Sequence, residues 1–195
     1  MDTELQYDAV ITGCKDIFIK KTMDYGTAWR VLRTISIVDQ LFIKAKRIRT
    51  IQETGMQKVQ DDIRGEFQGI INYGIIGLIQ LQMGKAVIQE LPPAEVSSLY
   101  DAQAIFARDI MLAKNHDYGE AWRDMSQEGL VDLILMKLLR IRQILANDGK
   151  TLISEGIDAG YTDIINYAAF ALILTEGPAS QKSGAPAPGA DINVS

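Results

Sequence analysis

Apolar positions recur at helical spacing almost from end to end of the 195-residue chain. That period places one stripe of each helix against a core. It predicts three helices near 4–23, 34–53 and 58–84, and three more near 94–115, 127–147 and 151–176. Leu91-Pro92-Pro93 separates the two sets, because proline lacks the amide hydrogen that a helix interior needs. Asn147-Asp148-Gly149 reads as a turn, and Thr151 as the cap of the helix after it. β-Branched runs such as Ile70 to Ile76 sit in apolar sequence that outlasts a strand, so the expected fold class is all-α. From about Gly177 the chain becomes rich in proline, serine, alanine and glycine. Such a segment cannot bury a core, and residues 177–195 read as a flexible tail.

The two sets of helices are copies of one unit. Asp24-Tyr-Gly-Thr-Ala-Trp-Arg30 returns as Asp117-Tyr-Gly-Glu-Ala-Trp-Arg123, identical at six of seven positions and carrying both tryptophans of the chain. Lys21 pairs with Lys114, Asp39 with Asp132, Lys44 with Lys137, and Arg47-Ile48-Arg49 with Arg140-Ile141-Arg142, all 93 residues apart. One inserted residue near Gly149 then sets Ile70-Ile71-Asn72-Tyr73 on Ile164-Ile165-Asn166-Tyr167. Two copies are too few for a solenoid. The expected architecture is a helical bundle of two tandem three-helix repeats, residues 1–90 and 94–176, packed as one domain with pseudo-two-fold symmetry.

Composition narrows the functions. A net charge of −5 argues against a broad nucleic-acid-binding face, while leaving room for local cationic pockets. Cys14 is the only cysteine, so no intrachain disulfide forms, and it reads as a small buried residue. The acidic start lacks a signal-peptide pattern, and no apolar run reaches the roughly 18 residues of a membrane span. A cytoplasmic protein without membrane contact is expected. The lone histidine, His116, rules out Glu-x-x-His di-iron pairs, and no phosphate-loop glycine pattern or zinc-type cysteine cluster is present.

Two features carry candidate chemistry. The first is the Asp-Tyr-Gly-x-Ala-Trp-Arg corner. It serves either as a structural turn or as a platform on which tyrosine or tryptophan stacks on a base while arginine and lysine reach phosphates. Gly26 and Gly119 suit a backbone geometry that other residues resist. The second is a polar stripe on the last predicted helix. Counting from Glu155, Thr162, Asn166, Asp163 and Asp158 fall at about 340°, 20°, 80° and 300°. Carboxylates leading into apolar sequence need a counter-charge, and Mg²⁺ or Mn²⁺ held by oxygen ligands is one solution. The matching positions of the first copy are Asp61, Arg64 and Gly69, with Glu66 in the slot of Gly160. The second copy is therefore the candidate active half.

With these motifs in hand, the chain resembles the nucleotide modification associated domain (type 1) family. The resemblance runs from Lys114-x-x-Asp117-Tyr-Gly-x-Ala-Trp through Lys137-x-x-Arg140-Ile to Glu155 with Asp163-Ile-Ile-Asn166-Tyr167. It covers nearly all of the chain except the tail, twice over. More distantly the chain is similar to MazG-like all-α nucleoside triphosphate pyrophosphatases, which hold Mg²⁺ on acidic helix faces. This sequence departs from them, with Gly160 three residues before Asp163 and no Glu-x-x-Glu on the preceding helix.

Three functions follow as expectations. A Mg²⁺-dependent nucleotide pyrophosphohydrolase would use Glu155, Asp158 and Asp163 for metal and for the attacking water, with Lys137 beside them. Lys114, Asp117, Tyr118, Trp122, Arg123, Arg140, Asn166 and Tyr167 would bind the substrate, a standard or modified nucleotide. The alternatives are a nucleotide-binding module without turnover and a purely structural helical interaction protein. A homodimer is compatible with each.

Overall fold

The computed structural model describes residues 2–57, 62–84, 89–153 and 155–175. These fold into six α-helices: α1 (Thr3–Tyr25), α2 (Thr34–Thr54), α3 (Ile63–Met83), α4 (Pro93–Tyr118), α5 (Gln127–Ala146) and α6 (Ile157–Thr175). No strand occurs among the described residues. The expected tail lies outside them, as do the first residues of the helix expected from 58.

Helix ends follow local chemistry. Asp2, Asp62 and Ser126 each turn a side-chain oxygen to a backbone N–H in the first turn of α1, α3 and α5, meeting donors that the helix itself leaves unpaired. Pro93 starts α4, where a missing N–H costs nothing. The last helix departs from expectation. It begins at Ile157 and not at 151, and Thr151 is not its cap. Asn147 Nδ2 donates to the Lys150 carbonyl (2.8 Å), and the Gly149 N–H reaches back to the Ile144 carbonyl (2.9 Å). These bonds close a turn on the end of α5 and carry the chain away from helix. Residues 151–153 are exposed, and Glu155 precedes α6.

The core follows the duplication. α3 and α6 pack along each other at the centre, α2 covers α3, α5 covers α6, and α2 meets α5. α1 and α4 lie outside this set, and each touches both α3 and α6. Each repeat therefore contributes its first helix to the packing of the other. At the central crossing Gly74 sits on Ile165 and Gly77 on the Tyr161 ring. A β-carbon on Gly77 would lie 2.7 Å from that ring, so glycine is what allows the close approach. α6 is buried on nearly every side from Gly160 to Ile173, as expected of a helix that is apolar all round.

Candidate functional site

The repeated corner spans three local structures. Its Asp-Tyr pair finishes α1 or α4, its glycine takes a positive φ (65° at Gly26, 60° at Gly119), and Ala-Trp-Arg forms a short 3₁₀ turn. The tryptophan drops inward in both copies, leaving Trp29 and Trp122 buried. The arginines brace the turns and do not line a cavity. Arg30 is bonded to Gln80 of α3, whose Nε2 returns to the Arg30 and Leu32 carbonyls (both 3.0 Å). Arg123 donates to Glu120 (2.5 Å) and, across the repeats, to Thr3 (2.6 Å) and Gln6 (2.9 Å) of α1. Arg123, expected at a substrate, is thus committed to holding α1.

Beneath each corner lies a cavity. The second-half cavity, about 310 Å³, is lined by Lys114, Tyr118, Trp122, Asp163, Asn166 and Tyr167 among others. The first-half cavity, about 530 Å³, has Lys21, Tyr25, Trp29, Gly69, Asn72 and Tyr73 at the matching positions, with Lys44 added. Both volumes lie in the roughly 300–1,000 Å³ range of small-molecule sites. The first-half residues were visible in the repeat alignment. The signal that separates the halves is Gly69 against Asp163, flanked by the same two lysines.

The asparagine of each cavity is a cross-repeat clamp. Tyr7 of α1 donates its hydroxyl to Asn166 Oδ1 (2.7 Å), and Asn166 Nδ2 donates to the Ala107 carbonyl of α4 (3.1 Å). The other copy repeats this, with Tyr100 donating to Asn72 Oδ1 (2.8 Å) and Asn72 Nδ2 to the Cys14 carbonyl (3.0 Å). Burial raises the pKa of both tyrosines and keeps them neutral donors. Asn166 therefore spends an oxygen and an N–H on the fold before any ligand arrives.

Asp163 is buried, and two lysines hold it. Lys114 Nζ lies 2.7 Å from Oδ1, and Lys137 Nζ bonds Oδ2. Burial pulls the Lys114 pKa down, but the hydrogen bond and charge of Asp163, with Glu155 and Tyr167 behind, leave it raised. Tyr167 is likewise raised, first by burial and then by the Asp163 charge. The Trp122 ring stacks on Phe170 (4.3 Å between centroids, 6° between planes), and the Arg123 guanidinium sits over it at 4.3 Å. Exposed Tyr118 and half-buried Tyr167 remain as rings for a ligand.

The three acids expected to share a metal are not brought together. Glu155 and Asp158 are exposed near the start of α6. Glu155 borders a separate shallow recess with Lys137 and Arg140. Asp163 is turned inward onto its lysines. No group of three or more histidine, cysteine or acidic side chains suited to a metal occurs among the described residues. A divalent cation does not fit this donor set, because the one buried carboxylate already has two ammonium partners. Asp117 is exposed beside His116 (3.2 Å) and does not line the cavity.

Fold and site together define a duplicated all-α bundle with two aromatic cavities edged by lysine. A family model described as nucleotide modification associated domain 1 matches twice, over residues 21–81 and 114–174. The chain belongs to that family, as a tandem pair. Each matched stretch opens on a cavity lysine and runs into α3 or α6. No curated protein and no solved structure matches the chain. No described helix is long and apolar enough to cross a membrane.

Proposed function

We propose that the protein binds nucleotides in the cavities under its two corners and does not turn them over. The observation that carries this reading is that both copies build a cavity from the same side chains: a lysine from α1 or α4, two tyrosines, a buried tryptophan and an asparagine. Tyrosine faces suit the flat apolar surface of a base, and ammonium groups suit phosphate oxygens. Membership of a family associated with nucleotide modification supports the same ligand class. Calorimetry with a panel of standard and modified nucleotides tests it. Saturable binding that weakens in Tyr73→Ala or Tyr167→Ala is expected, and absence of heat across the panel ends the proposal.

Hydrolysis is the competing reading, and the placement of the acids argues against it. Metal-assisted pyrophosphate release needs ligands that converge on an ion and a water. Asp163 instead faces Lys114 and Lys137. Incubation with nucleoside triphosphates and Mg²⁺ or Mn²⁺ is expected to release no pyrophosphate. Release that disappears in Asp163→Ala would restore the hydrolase.

A further inference from the structure

The two cavities differ at one decisive position. In the second half, the Asp163 carboxylate bridges the ammonium groups of Lys114 and Lys137. In the first half, the same backbone position is Gly69, and the matching lysines, Lys21 and Lys44, both line the cavity. We infer that the first-half cavity is a phosphate seat, in which a phosphate of a bound nucleotide lies between Lys21 and Lys44 where the other half carries its own carboxylate. Its assignment to a nucleotide rests on the reading above; the anion seat can be tested separately.

Four observations support it. Lys44 is placed at Gly69, where a β-carbon would lie 2.9 Å from its Cε and 3.2 Å from its Nζ. Lys21 is exposed and has no ion pair among the described residues. The cavity is larger, about 530 Å³ against 310 Å³, and so has room for the atoms that Asp163 supplies internally. The local charge also favours an anion. Glu66 does approach Lys44, at 3.2 Å, but it is held more closely by Arg47, at 2.5 Å. Glu66 offers Lys44 the longer of its two contacts, and Lys21 is a second cation on the same cavity. Glu90 lies against Gly26 at the cavity's edge and marks its acidic limit. Lys21 therefore adds to the cavity a cation that no described carboxylate neutralises, and a phosphate would complete it.

Asp163 serves as an internal reference for the occupied state. It shows that the α4 and α5 lysines can both reach one pair of anionic oxygens, and the repeat relation carries that geometry to α1 and α2. Glu66 is the alternative neutraliser, three residues earlier on α3. Its counterpart Gly160 is packed against the Ile141 side chain, so the second half has no acid there. Each copy thus has one acid on this face, but only that of the second copy lies between the two lysines.

The two tryptophans make the test local, because Trp29 lines the first cavity and Trp122 the second. Inorganic pyrophosphate is titrated into full-length Trp122→Phe, which keeps Trp29, and into Trp29→Phe, which keeps Trp122. Saturable change of the Trp29 signal, with none from Trp122, is expected. In the Trp122→Phe background, Gly69→Asp should weaken pyrophosphate about tenfold or more, as expected for displacing a charge-assisted contact. Lys21→Ala should do the same, and its exposed position leaves the fold intact should Gly69→Asp prove unstable. The inference fails if Trp122 reports the anion, if neither variant weakens it, or if pyrophosphate does not bind at all. Nucleotide binding that is indifferent to Gly69→Asp would sink the seat and leave the nucleotide reading standing. Pyrophosphate binding at Trp29 without any nucleotide binding would do the reverse.

Discussion

Single residues here act mostly across the repeats, and the strongest case is the tyrosine–asparagine clamp. Tyr7→Phe strips Asn166 Oδ1 of its donor inside the core, and Tyr100→Phe does so for Asn72. Tyr7→Phe should cost about 1–3 kcal/mol, read as a lower urea midpoint, because a buried acceptor is left unmet, and Tyr100→Phe should cost less, because Asn72 is only half-buried at its cavity. A neutral result in both would show that the amides find other donors. Glu120 offers a pH test. Hydrogen bonds from Arg123 first and Thr3 second lower its carboxyl from 4.5 to about 2. A depressed acid stabilises the fold fully above its ordinary pKa and loses that contribution as pH falls toward the folded value. The stability gap between wild type and Glu120→Gln should be widest near neutrality and close as pH drops below about 4.5. A gap independent of pH would show that the charge is irrelevant. At this scale the sequence exposed Asp163 and Asn166 as polar groups in apolar surroundings that needed partners. It did not reveal the partners, since Lys114, Lys137, Tyr7 and Ala107 lie 26 to 159 residues away and only packing brings them close.

Elements were legible where their pattern was long and their ends chemically marked. The proline pair at the start of α4 and the helical stripe of α5 placed those helices within a few residues of the structure. The start of α6 was misplaced because spacing alone cannot see the Asn147 and Gly149 bonds that turn the chain away from helix. That error also put Glu155 on a helical face it does not occupy, and the expected acidic cluster went with it. The crossing of α3 and α6 was not legible, since glycines inside an apolar helix look like weak points until a neighbour is known. Gly77→Ala tests that contact. Its new carbon would fall 2.7–3.0 Å from three atoms of the buried Tyr161 ring. Overpacking of this kind costs roughly 1–3 kcal/mol. A fall in midpoint with an unchanged denaturant slope is expected, and a gain in stability would mean that the crossing is looser than the distances imply.

At the scale of the whole molecule, the duplication predicted symmetry without predicting how the copies interlock. α1 reaches α6 and α4 reaches α3, so neither repeat completes its packing alone. Unfolding should be a single transition, with Trp29 and Trp122 giving the same midpoint in single-tryptophan variants. A chain holding only residues 92–175 should be unfolded or self-associated, as judged by light scattering with circular dichroism; a folded monomer of that length would contradict the interlock. The position 163 carboxylate has a further consequence. Because it is tethered, its effective local concentration exceeds what a dissolved competitor can match. On the inference drawn above, the phosphate end of the second cavity is filled by the chain itself while its aromatic end stays open, and the first cavity leaves both ends to a ligand. The twin sites would then differ in which part of a ligand they need, and not in whether they take one.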